Sequence, residues 1–154
     1  MDIVLFQPEI PPNTGNSIRL CANVGATLHL IEPIGFSLDD KHLKRAGLDY
    51  HDLMHMKTHA TWADFVSTLK PDQRCFVFTT SGKKRYDQIQ WQADDVLLFG
   101  RETAGLPTDI IASFDENHRV YLPMRQGCRS VNLSNTVAIA CYEIWRQHNF
   151  DLDM

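Results

Sequence analysis

Five short apolar runs mark out the chain, at residues 3–6, 28–31, 75–78, 96–99 and 120–122. None alternates strictly with polar positions, so each predicts a strand buried on both faces. The helix-like stretches between them predict an α/β fold, a mostly parallel sheet flanked by helices. Three stretches carry helical periodicity. Ile18, Cys21, Ala22 and Gly25 form the buried face of a helix that the Asn/Thr/Gly/Asn group at residues 13–16 starts, with Asn16, Arg19 and Asn23 aligned on another face. Residues 61–69 present Trp62, Phe65, Val66 and Leu69 on one side. Leu133, Val137, Ala140, Cys141 and Ile144 recur at the i, i+4, i+7, i+8, i+11 spacing of a third, largely buried helix.

The start of that last helix is unusually polar. Ser130, Asn132, Ser134 and Asn135 are all capping types within six positions, where one cap suffices. Such a mouth exposes unpaired N–H groups and the positive end of the helix dipole, a seat for a carboxylate, a phosphate or the polar edge of a nucleotide. Surplus capping is the plainer reading. Arg19 lies one turn into a helix that begins at the C-terminal end of the first strand, where open α/β sheets place their ligand crevice. A solvated arginine is the alternative there.

Two loops carry further candidates. Residues 79–85 form a hydroxyl-rich turn followed by three cations, which suits an adenosine or a phosphate, or simply an exposed loop. Gly100 and Gly105 bracket a tight loop, but Leu106 and Pro107 stand where a phosphate loop needs Lys-Ser/Thr, which excludes ATP or GTP binding by that route. What remains is a backbone that approaches a ligand closely, with Glu102 as its acceptor or as the cap of a helix that Pro107 helps to start. His51, His55 and His59 have metal-ligand spacing only if their segment is one helix, and no fourth ligand accompanies them. Lys41, His42, Lys44 and Arg45 offer phosphate contacts in the polar stretch at residues 39–59, where a solvated face is equally natural.

Totals narrow the field. The chain has 154 residues, which predicts a single domain, residues 1–154. Its net charge of −4 leaves any RNA contact to local basic patches. The cysteines at 21, 75, 128 and 141 contain no C-x-x-C pair, so no zinc knuckle or dithiol motif is available, and buried free thiols in a reducing compartment are expected. The first residues lack a basic leader and no apolar run approaches the roughly 18 residues of a membrane span, so a soluble, cytoplasmic protein is expected.

Three motifs then stand together: NTGNSIR at 13–19, FGRETAGLP at 99–107, and LPM at 122–124 followed by RSVNLSN at 129–135. In this order they closely resemble the three motifs of the TrmH-like branch of SPOUT methyltransferases. The strings RLCAN at 19–23, IEPIGF at 31–36, DDK at 39–41 and RAGLDYH at 45–51 resemble its minimal members, which methylate a wobble-position ribose. The resemblance implies an α/β-knot fold with a C-terminal trefoil, although general topology rules count against knots. It implies a homodimer, S-adenosylmethionine as cofactor (S-adenosylhomocysteine as product) with no metal, and the ribose 2′-OH of C34 or U34 in the anticodon stem-loop of specific tRNAs, tRNA-Leu among them, as substrate. No partner protein and no membrane are implied.

Carried onto matching positions, Phe78, Gly100, Glu102, Leu122, Met124, Ser130 and Leu133 would bind the cofactor, and Arg19, Asn13, Ser130 and Asn132 would be catalytic. An arginine keeps its proton above about pH 12, so Arg19 suits a phosphate or alkoxide clamp better than a base. The chain departs from the branch at Arg101, where proline is usual, at Ala104, where arginine is usual, and at Cys128 and Val131, where serine and methionine are common. Tyr142, Glu143, Trp145 and Arg146 of the final helix are expected at the dimer face. The competing readings are a methyltransferase of another RNA such as rRNA, a non-catalytic RNA-binding relative, and a flavodoxin-like nucleotide binder.

Overall fold

In a computed structural model, which describes residues 1–37 and 53–151, the five apolar runs become strands of one parallel sheet, which two further strands extend. They are β1 (Asp2–Phe6), β2 (Thr27–Ile31), β3 (Met56–His59), β4 (Cys75–Phe78), β5 (Lys84–Arg85), β6 (Val96–Phe99) and β7 (Arg119–Tyr121). Their order across the sheet is β3-β2-β1-β6-β4-β7-β5. The helices are α1 (Pro11–Val24), α2 (Trp62–Val66), α3 (Thr108–Ala112) and α4 (Leu133–Gln147).

Side chains of successive strand residues point to opposite faces, and both faces are covered. Ile3, Leu5, Leu28, Leu30, Leu97 and Phe99 pack beneath α1 and α4, against Ile18, Cys21, Val137, Ala140 and Ile144. Val4, Phe6, Ile31, Val77 and Leu98 pack on the other side, against Phe65 of α2 and Ile110 of α3. The chain order reverses between β1 and β6: β2 and β3 lie to one side of β1, while β6 pairs β1 on the other and separates it from β4. That is where a crevice opens at the carboxyl ends of parallel strands.

Several expectations change. The edge strands β3 and β5 have no apolar run to betray them; MKTH pairs only with β2 and stays half-exposed. His59 therefore lies on a strand and His55 in the turn before it, so the helical stripe of histidines does not form, and His51 lies outside the described residues. His59 Nε2 instead stands 2.9 Å from His29 Nδ1, and His29 Nε2 lies 3.2 Å from Asp2 Oδ1, which ties the polar edge strand to β2 and β1. Residues 39–50, with Lys41, His42, Lys44 and Arg45, also lie outside the described residues.

Helix α1 begins at Pro11, two residues before the Asn/Thr/Gly/Asn group, because proline is well suited to a first helical turn. Its buried face accordingly takes in Asn13, Thr14, Ser17 and Val24 beside Ile18 and Cys21, while Ala22 is half-buried and Gly25 is the left-handed cap at φ +69°. Asn16, Arg19 and Asn23 share its exposed face. Helix α2 is shorter than expected and buries Phe65 but leaves Val66 exposed. Of the cysteines, Cys21 and Cys141 are buried and Cys75 is half-buried, but Cys128 is exposed. Burial pushes the Cys141 thiol up to about 12, which keeps it protonated at neutral pH.

Candidate functional site

The loops that follow β1, β4, β6 and β7 enclose one open cleft of about 930 Å³ at the carboxyl end of the sheet. That volume is in the range of small-molecule and cofactor sites. Phe78, Gly100, Glu102, Leu122, Met124, Ser130 and Leu133 all border it, as do Asn13 and Asn132. So do Thr79, Thr80 and Ser81 of the hydroxyl-rich turn. Arg129 of the third motif borders it too, as do Ile10 and Thr136, which were not singled out from the sequence. Ile10 had one visible signal, an apolar residue placed before two prolines, and it remains 41% exposed at the cleft.

The second motif folds into a closed turn. Arg101 and Gly105 exchange both backbone hydrogen bonds, N–H to O at 3.1 and 3.0 Å, with Gly105 at φ +67°. A Cβ on Gly100 would come within 2.4 Å of the Gly105 carbonyl carbon and the Leu106 nitrogen. The glycine is thus required by the loop's own closure, and it also borders the cleft. Arg101, the cation that stands in place of the usual proline, donates from Nη2 to Gln7 Oε1 and lies over the Phe6 ring at 5.9 Å. It braces the loop after β1.

Glu102 does not cap the following helix, whose N-cap is Pro107. Its Oε2 accepts from the Glu9 N–H at 2.8 Å, and its Oε1 from the Ile10 N–H at 3.2 Å and from Asn13 Nδ2 at 3.1 Å. It thereby serves the start of α1, which has no side-chain cap of its own. The clasp is reciprocal: Glu9 Oε2 accepts from the Thr103 hydroxyl at 2.7 Å and its N–H at 3.1 Å. Those two bonds hold the Glu9 carboxyl below the usual glutamate range.

The third motif caps α4 through Asn132, whose Oδ1 accepts from the Ser134 N–H at 3.0 Å, the Ser134 hydroxyl at 2.9 Å and the Asn135 N–H at 3.4 Å. Of the four capping types read from the sequence, one residue caps, Ser134 supports it, and Ser130 is left exposed at the cleft. Asn132 Nδ2 donates to Asn13 Oδ1 at 2.9 Å, so the first and third motifs touch. Arg19 is not among the residues that border the cleft of its own chain; it lies on the exposed face of α1. Among the described residues, no cluster of three or more His, Cys, Asp or Glu side chains could hold a metal, and no helix is long and apolar enough to cross a membrane.

The chain has full-length relatives among known methyltransferases. It is 56% identical over 149 residues to a tRNA (cytidine(34)-2′-O)-methyltransferase of Methylovorus glucosotrophus, covering 97% of this chain and 96% of that one. A solved structure described as giving insight into the 2-OH methylation of C/U34 on tRNA superposes with a TM-score of 0.89 at 40% identity, covering 97% of each chain. The methyltransferase AviRb from Streptomyces viridochromogenes, solved with AdoMet, shares the fold at a TM-score of 0.79 and 21% identity, over 97% of this chain and 58% of its own. The parallel α/β sheet with knot-forming topology is therefore the SPOUT fold that the three motifs implied. Residues 1–142 match the family described as the SpoU rRNA Methylase family, and with full-length relatives above 50% identity the chain belongs to it.

Proposed function

We propose that the chain acts as a single methyltransferase domain, transferring a methyl group from S-adenosylmethionine to the ribose 2′-OH of the wobble nucleotide, C34 or U34, in the anticodon stem-loop of particular tRNAs, tRNA-Leu among them. The observation that carries this reading is that three motifs spread over about 120 residues border one cleft, in a chain 56% identical to an enzyme named for that reaction. The cleft suits the cofactor's parts. It is bordered by Phe78 and Phe99, by Thr79, Thr80 and Ser81 with their hydroxyls, and by the exposed mouth of α4. Bound there, the cofactor supplies a methyl group on a sulfonium already activated for displacement.

The protein's share is then alignment and charge. Holding a sugar oxygen in line with a methyl carbon converts a collision into a unimolecular step, which is worth several powers of ten. Ser130, Asn132 and Asn13 orient the reactants, and Arg19 clamps the neighbouring phosphate or the forming alkoxide. Because Arg19 lies outside the cleft of its own chain, this role requires a second copy, and the homodimer brings one protomer's Arg19 to the other's cleft. The exposed α1 face with Asn16, Arg19 and Asn23, and the exposed Ile139 and Tyr142 of the adjoining α4, support that face as the contact.

Nucleoside mass spectrometry of RNA from a deletion strain tests the reading. The expected result is loss of the 2′-O-methyl group at position 34 of the substrate tRNAs. A methyl missing from rRNA with tRNA intact would transfer the activity to the ribosome, and intact profiles in both would end the methyltransferase reading.

A further inference from the structure

Away from the cleft, on the sheet face that α2 covers, three titratable side chains stand in line. Asp2 Oδ1 lies 3.2 Å from His29 Nε2, and His29 Nδ1 lies 2.9 Å from His59 Nε2. The other Asp2 oxygen accepts from Gln73 Nε2 at 2.9 Å, which fixes the carboxylate in place. His29 is only 6% exposed, and Phe65 meets both imidazoles edge-on, with its ring centroid 4.9 Å from that of His29 and 5.3 Å from that of His59. The methyl transfer uses none of these groups.

Hydrogen counting restricts what this line can hold. An ionised carboxylate only accepts, so His29 Nε2 carries a hydrogen toward Asp2. A nitrogen-to-nitrogen contact of 2.9 Å needs a single hydrogen between the rings. The outer nitrogen, His59 Nδ1, has room for a third. Two neutral imidazoles bring two hydrogens, so the line takes up one further proton with every contact kept. A second further proton sets N–H against N–H between the rings, and with His29 buried, water does not readily relieve that clash.

The ring contact is also a contact between strands. His29 belongs to β2 and His59 to β3, the edge strand that pairs with β2 alone. We infer that Asp2, His29 and His59 form an acid-operated clasp on the edge of the sheet, which keeps β3 paired while the two rings hold at most three hydrogens and frees it when they take a fourth.

The charges around the line, among the described residues, are the Met1 amino group near Asp2, Lys57 of β3 and Asp64 of α2 near His59, and Arg74 beside Gln73, which is paired with Asp95. Burial raises the Asp2 carboxyl, but the bond to His29, the His29 charge, the Met1 amino group and Gln73 outweigh it and hold Asp2 below the usual aspartate range. It is therefore ionised throughout the range in which histidines titrate. Burial, His29 and Lys57 hold His59 below the usual histidine range, against the opposing pull of Asp64. Once β3 departs, both rings return to ordinary values near about pH 6.5. The opened form then binds the last proton more tightly than the closed form, so opening is favoured as pH falls.

Amide exchange and ring-nitrogen spectra of the ligand-free protein test the clasp. The Leu28 and Glu32 N–H groups donate to the His55 and His59 carbonyls at 2.7 and 2.9 Å, so both lose their acceptors when β3 departs. In the parent, their protection, corrected for intrinsic exchange, should fall by up to about tenfold per pH unit between about pH 6.5 and pH 5. His59→Gln keeps a donor for His29 Nδ1 and, with its amide turned over, an acceptor for His29 once that ring is protonated. Protection in this variant should therefore change little over the same range. In two-bond ¹⁵N–¹H spectra of the parent, at least one of the four ring nitrogens should stay without a hydrogen for as long as the two amides remain protected. Parent protection that ignores pH, or an equal fall in His59→Gln, would overturn the clasp. Two fully protonated rings beside protected amides would do so as well, and that measurement needs the parent alone should the variant fail to fold.

Discussion

The two helices that meet at the cleft begin in opposite ways. Helix α4 carries its own cap: Asn132 accepts from N–H groups two and three residues on. Helix α1 opens on Pro11 and Pro12 without a side-chain cap, and the donors just ahead of it are taken by Glu102, more than 90 residues away. A local cap stabilises one helix. The borrowed cap does more, because Glu102 also holds Asn13, and Asn13 holds Asn132. Three segments are thereby tied into one wall, and the start of α1 is closed to ligands while the mouth of α4 stays exposed. A carboxylate near the positive end of α1 also complements its dipole.

The largest effect is expected at Arg19, which lies beyond both mouths on the exposed face of α1. Arg19→Ala should lower kcat by on the order of a hundredfold to a thousandfold, as loss of a charge-stabilising donor does, while the affinity for S-adenosylhomocysteine stays close to the parent's. Single-turnover methylation and calorimetry separate the two quantities. Near-normal turnover would remove Arg19 from the mechanism.

Unfolding in urea then compares the two caps directly. Glu102→Ala leaves the Glu9 N–H, the Ile10 N–H and Asn13 Nδ2 without their acceptor, and stability should fall by about 2–3 kcal/mol. Asn132→Ala should cost about 1 kcal/mol, the ordinary loss of a helix cap. Equal losses would mean that the distant cap ties nothing together. Ser130→Ala, in the exposed segment before α4, should change stability by less than about 0.5 kcal/mol yet weaken the binding of S-adenosylhomocysteine.

The same contrast explains what could be read from the sequence. The central strands announced themselves as apolar runs because they are buried on both faces, and α4 announced itself by its periodicity and its run of Ser and Asn. Both signals are local. The acceptor at Glu102 was visible as a residue, but its partners were not, since nothing near position 102 indicates donors at 9, 10 and 13. The requirement for glycine at 100 was legible, whereas its cause, the backbone of Gly105 and Leu106, appears only once the loop is folded. Edge strands β3 and β5 were missed for the converse reason: hydrogen bonds to a neighbour hold them, with little apolar burial to leave a pattern. The convergence of motifs on one cleft came from family resemblance, because no periodicity encodes which loops meet.

The smallest effect concerns the outer half of the borrowed cap, where Glu9 accepts from the Thr103 hydroxyl and N–H. The hydroxyl bond is the chief reason that the Glu9 carboxyl lies below the usual glutamate range, with the N–H bond second. A carboxyl depressed by folding stabilises the native state at neutral pH, and that contribution disappears as pH falls through its lowered value. Thr103→Val removes the first bond and keeps the second, so the Glu9 pKa, followed through its side-chain carboxyl ¹³C signal, should rise partway toward the usual range. Because Glu9 is partly exposed, water and salt screen the interaction, and stability at neutral pH should barely change. If the Glu9 signal titrates as in the parent, the clasp between the loops after β1 and β6 rests on the Glu102 side alone.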